Sequence, residues 1–85
     1  MTLFRDMVGS ALQHERVKQG RTLRGVSFRA KVSLGYLSEV ERGMKEPSSE
    51  TINSICTALD VPLYQILREV ADDMEMLDTR QAVSV

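Results

Sequence analysis

The sequence predicts an all-α domain, and three observations carry that prediction. Apolar residues recur at three- and four-residue intervals along most of the chain, the period of a helix with one buried face. β-Branched residues are scattered singly, and aromatic residues make up 5% of the chain with no Trp, so no alternating strand pattern emerges. Gly, Pro and capping residues break the periodicity at intervals of about ten to twenty residues, which divides the chain into five short helices. At 85 residues it is one domain, since independent domains run to about 50–200 residues. A chain this short buries only about 60–65% of its unfolded surface, which leaves little room for a water-excluding catalytic cavity beside a core.

The first helix is expected over residues 3–19, with Val8, Ala11 and Leu12 inward and Gly20 supplying a left-handed C-terminal turn. Thr22 caps the second helix, whose Leu23, Val26, Ser27 and Ala30 form one stripe, although Gly25 within it costs about 1 kcal/mol relative to Ala. After a turn at Lys31 and Val32, Ser33 caps a third helix carrying Leu34, Leu37 and Val40, and Gly43 stops it. Pro47 and Ser48 open the fourth helix, with Ile52, Ile55, Cys56 and Leu59 on its inner face. Asp60, Val61 and Pro62 break the chain. The fifth helix keeps Leu63, Ile66, Leu67, Val70, Met74 and Leu77 on one face. Residues 1–77 are thus expected to form the domain, with 63–77 as an extended dimerisation helix and 78–85 as a flexible tail.

Charge is distributed unevenly. Residues 1–45 hold nine Lys and Arg against four Asp and Glu, and residues 46–85 hold two against eight, so a total of −1 conceals halves of +5 and −6. A basic half of this kind points to nucleic acid, whose binding is driven by cations replacing condensed counterions. No apolar run approaches the roughly 20 residues that span a bilayer, and the N-terminus lacks the apolar stretch of a signal peptide, so a cytoplasmic protein with no membrane partner is expected. Cys56 and His14 are the only Cys and His; one of each makes neither an internal disulfide nor a zinc site. Cys56 reads as a small buried hydrophobe and His14 as a surface residue. No nucleophile with a base, phosphate loop or metal cluster marks an enzyme, and no cofactor or small-molecule ligand is indicated.

Residues 22–42 are two short amphipathic helices joined by a turn of about three residues, spacing that suits a helix-turn-helix. The string SLGYLSEVERGMKEPSSETI, followed by ICTALDVP, resembles the lambda-repressor/Cro (XRE) type of helix-turn-helix transcriptional regulator. The likeness covers residues 12–67. Within that family, LGYLSEVERG and the spacing of the residues after it resemble the actinobacterial regulators of Clp protease genes. The resemblance implies a compact five-helix domain, helices two and three reading DNA, and a dimer on a pseudo-palindromic operator. It departs from the family pattern at Ser27, where Ala is usual, and at Lys31, where a turn Gly is common.

On that resemblance, Leu34, Gly35, Tyr36, Ser38 and Glu39 are the candidate base contacts. Leu34 suits a thymine methyl, and a first-turn Gly35 allows close approach at the expense of helix propensity. Tyr36 either reaches DNA or covers the core. Glu39 accepts from a cytosine amino group, braces a nearby Arg, or is simply solvated. Arg21, Thr22, Arg24, Ser33, Arg42, Met44 and Lys45 are the candidate phosphate contacts, which position rather than specify. The family pattern also pairs Arg16 with Glu41 as a structural ion pair. Val70, Met74, Met76 and Leu77 are the candidate dimer contacts, or else they cover the chain's own N-terminal segment.

Two functions remain open at this point. One is a regulator of transcription bound to duplex DNA as a homodimer, which as an activator of Clp protease and stress genes would also meet RNA polymerase. The other is a protein-interaction module on the same fold, of the antitoxin or anti-repressor kind.

Overall fold

The computed structural model of the chain describes residues 3–83, with side chains to residue 78. Five helices follow one another, α1 (Phe4–Lys18), α2 (Leu23–Ala30), α3 (Leu34–Glu41), α4 (Ser49–Ala58) and α5 (Leu63–Val83), and no strand occurs among the described residues. Each boundary follows from local chemistry. The Leu3 N–H donates to Asp6 at the start of α1 (3.1 Å), and Gly20 at φ 70° ends that helix. Thr22, Ser33 and Ser48 cap α2, α3 and α4 by accepting from the backbone N–H of Gly25, Tyr36 and Thr51, donors the first turn would otherwise leave unpaired. Lys31 adopts the left-handed conformation, φ 60° and ψ 40°, and lets Val32 N–H reach back to Ser27 O at 3.1 Å. Ser27 is buried, and its hydroxyl donates to Arg24 O at 2.9 Å, so the departure from Ala adds no unpaired group.

The core is drawn from every helix. Val8, Ala11 and Leu12 of α1 meet Val26 of α2, Leu37 and Val40 of α3, Ile55, Cys56 and Leu59 from the end of α4, and Ile66 and Val70 of α5. α1 lies against both α3 and α5, while α2 lies against α3 and α4. Cys56 is buried among these side chains, which pushes its thiol up to about 11; it is an apolar filler and not a nucleophile at neutral pH.

α5 corrects two expectations. It remains helical through Val83, beyond the boundary placed at residue 77, because no Gly or Pro follows Pro62 to stop it. Its apolar stripe also divides. At about 100° per residue, Ile66, Val70 and Leu77 turn toward the core, and Val70 is 2% exposed while Leu77 packs on the cluster. Val70 is therefore a core residue and no free dimer contact, and Leu77 is half-buried. Leu67 and Met74, at the other edge of the stripe, are 43% and 45% exposed. Met76 is exposed as well, but two residues from Met74 it points to a different side of the helix.

Candidate nucleic-acid interface

α3 presents Gly35, Glu39 and Arg42 at i, i+4 and i+7, opposite the buried Leu37 and Val40. Gly35 is exposed, and a Cβ built there would meet nothing within 4 Å. Packing inside the chain does not require this glycine. Leu34, Ser38 and Glu39 are half-buried, and among the described residues no cation pairs with Glu39, so the arginine-brace alternative has no arginine. Tyr36 leans on the core while keeping part of its surface exposed.

Thr22, Arg24, Ser33, Arg42, Met44 and Lys45 are all exposed, at the N-termini of α2 and α3 and in the loop after α3. Helix N-termini offer unpaired N–H groups and the positive end of the dipole to an anion. The loop is pinned by Arg5, whose Nε donates to Gly43 O at 3.0 Å, and by the Met44 N–H bonded to Glu39 O at 2.8 Å. Arg21 is the exception among the phosphate candidates. Its Nη2 lies 2.7 Å from Asp60 Oδ2, and its Nε donates to Gln19 Oε1 at 2.6 Å, so its guanidinium is held within the chain.

Two features seat α3 against α1. Arg16 Nε and Nη2 donate to Glu41 Oε2 and Oε1 at 2.8 and 3.0 Å, and Nη1 donates to Arg21 O at 3.0 Å. The hydrogen bonds to Glu41 raise the Arg16 pKa above the ordinary guanidinium value, against the opposing effect of burial. The second feature was not singled out from the sequence: a Cβ on Gly9 of α1 would run into the carbonyl oxygens of Val40 and Glu41, so the helices cross with backbone nearly in contact. An isolated Gly inside the apolar stripe of helix one was the available signal.

On the far side, α1 is tied to α5. His14 Nδ1 and Glu69 Oε1 are 2.7 Å apart. Glu15 is buried and accepts from Gln19 and Gln65, and Gln19 also donates to Leu59 O at 2.7 Å. Among the described residues no group of His, Cys, Asp and Glu could hold a metal ion, and no helix is long and apolar enough to cross a membrane.

Two short capped helices joined by a left-handed turn, the second of them outward-facing and rimmed by cations, define a helix-turn-helix domain. The chain belongs to the helix-turn-helix family HTH_3, which matches residues 12–66. It is similar to the transcriptional regulator ClgR of Mycobacterium tuberculosis, with 57% identity over 72 residues, 85% of this chain and 64% of that protein. The chain thus spans less than two-thirds of that relative's length. The crystal structure of the clp gene regulator ClgR from Corynebacterium glutamicum superposes with a TM-score of 0.88 at 40% identity, over 98% of this chain and 88% of that one. The fold is shared with C.Esp1396I bound to a 25 base pair operator site, at a TM-score of 0.80 and 15% identity, over 87% and 97% of the two chains.

Proposed function

We propose that this regulator binds a pseudo-palindromic DNA operator as a homodimer, α3 entering the major groove, and that it acts in the cytoplasm as an activator of Clp protease genes. Gly35 carries the reading. A glycine in the first turn of a helix lowers its propensity, and with nothing of the chain within 4 Å of where its side chain would be, it leaves room for a partner to approach the backbone closely. The groove edge of a base pair is the partner that the surrounding exposed Thr22, Arg24, Ser33, Arg42 and Lys45 suit. Likeness to ClgR supports the target genes; an activator would in addition meet RNA polymerase.

Selection of bound duplexes from a random pool, followed by affinity measurement across a salt series, tests this. Glu39→Gln and Tyr36→Phe should change which base pairs are preferred, each by about 1–3 kcal/mol. Lys45→Ala should weaken all sequences alike and reduce the salt slope by about 1. A wild-type domain that recovers no preferred sequence would refute the proposal.

For the dimer, the exposed edge of α5 offers Tyr64, Leu67 and Met74 at i, i+3 and i+10, with the Arg68 guanidinium 5.4 Å from the Tyr64 ring centre. Of the four residues first assigned to the dimer, Met74 is the one on this edge. Leu67→Asp combined with Met74→Asp should halve the mass seen by sedimentation while leaving helicity unchanged, because neither residue is in the core. Met76→Asp should leave the mass as it is.

A further inference from the structure

Asp60 follows α4 in the left-handed region, φ 57°, a conformation that few side chains other than Asn and Asp tolerate. Its carboxylate there faces two arginines of the basic half. Arg21 Nη2 is 2.7 Å from Oδ2, and Arg29 Nη2 is 3.3 Å from Oδ1. The carboxylate is 62% exposed and the two arginine side chains 28% and 44%, and pairs this open to water contribute little to folding. What the triad does change is the charge beside α2. Arg21 immediately precedes Thr22, the cap of α2, so an unrestrained Arg21 would lie at the edge of the phosphate-facing surface. Gln19 fixes it from the other side, and Gln19 is itself bonded to Leu59 O and the buried Glu15, so Arg21 is held from both ends.

Resting on the DNA-binding function proposed above, we infer that Asp60 is a built-in competitor for phosphate. It occupies Arg21 and Arg29, withholds their charge from any duplex regardless of sequence, and so raises the ratio of operator to random-sequence binding. Because the carboxylate contacts both guanidiniums, a phosphate must displace it, or bind beside its negative charge, to use either arginine, and either outcome weakens the contact. Sequence-reading contacts on α3 are untouched by this competition, because they do not depend on either arginine.

Asp60→Asn and Asp60→Gly both keep a residue suited to positive φ while deleting the charge, so the second variant serves if the first disturbs the α4–α5 turn. Fluorescence anisotropy with a random-sequence duplex and with the selected operator, over a salt series, gives the readout. Both variants should bind the random duplex about tenfold more tightly at low salt, with the slope of log K against log salt steeper by about one to two, the contribution of one or two added phosphate contacts. The operator-to-random ratio should fall, and Asp60→Asn should have no effect in an Arg21→Gln, Arg29→Gln background. Random-duplex affinity at or below wild type in both variants, or a gain that persists without the two arginines, overturns the assignment. Failure of the wild-type protein to bind duplex DNA at all is a separate result, which would take down the DNA-binding function itself.

Discussion

Glu41→Ala should cost about 3–5 kcal/mol of folding free energy, the usual effect of removing one partner from a buried ion pair. The carboxylate is 5% exposed and its Arg16 partner 15%, so the guanidinium left behind would keep its bond to Arg21 O while losing the charge that offsets its desolvation. Arg16→Met should cost a similar amount for the mirror reason. The pair Arg16→Met with Glu41→Leu should recover most of the loss, since apolar side chains of similar volume often match or exceed a buried pair. Urea unfolding of the wild type, Arg16→Met, Glu41→Leu and the double variant forms a double-mutant cycle. Single variants within about 1 kcal/mol of wild type, the range of an exposed pair, would show that the interaction is solvated in practice. Because small domains have only about 5–15 kcal/mol in total, each single variant should lose a large share of its stability and melt well below wild type.

Gly9→Ala is expected to reverse the usual sign of a glycine-to-alanine change. In a helix interior Ala is favoured over Gly by about 1 kcal/mol, but here the added methyl group would meet the carbonyl oxygens of Val40 and Glu41. Those are backbone atoms, which cannot rotate aside, so α3 must move off α1. Over-packing of this kind costs about 1–3 kcal/mol, and each kcal/mol lowers the melting temperature of such a domain by roughly 4–8 °C. Gly35→Ala is the control: with open space around it, it should hold or raise the melting temperature while weakening operator binding. A Gly9→Ala protein that melts at or above wild type would mean that the α1–α3 crossing is not fixed by this contact.

The two glycines also mark the limit of what could be read from residue order. Caps were legible, since the Thr22, Ser33 and Ser48 hydroxyls act on N–H groups three residues away, and the Lys31 turn followed from its place after a helix end. The Arg16–Glu41 contact was anticipated only through likeness to a family; nothing in their spacing demands it. Gly9 and Asp60 escaped because their partners lie 31 or more residues away in sequence, in Val40 and in Arg21 and Arg29. Periodicity marked the apolar stripe of α5 but could not divide it between this chain's core and a second surface. That division depends on where α1 and α4 press on the helix, which puts Val70 inside and Leu67 outside. Among the phosphate candidates, Arg21 had the right charge and position in the chain, yet a carboxylate from the acidic half takes it up.

α1 is fastened on one side to α3, through Gly9 and the Arg16–Glu41 pair, and on the other to α5, through His14–Glu69 and Glu15–Gln65. In the dimer proposed above, α1 would therefore be the stiff arm of a caliper, joining the α3 surface offered to DNA to the α5 edge offered to the second copy. Such an arm cannot stretch to follow an operator whose half-sites are displaced: one inserted base pair moves a half-site by about 3.4 Å along the duplex and turns it by a tenth of a helical repeat, roughly 34–36 Å long. Spacer length would then be read as strictly as base sequence, by the same residues that keep the domain folded.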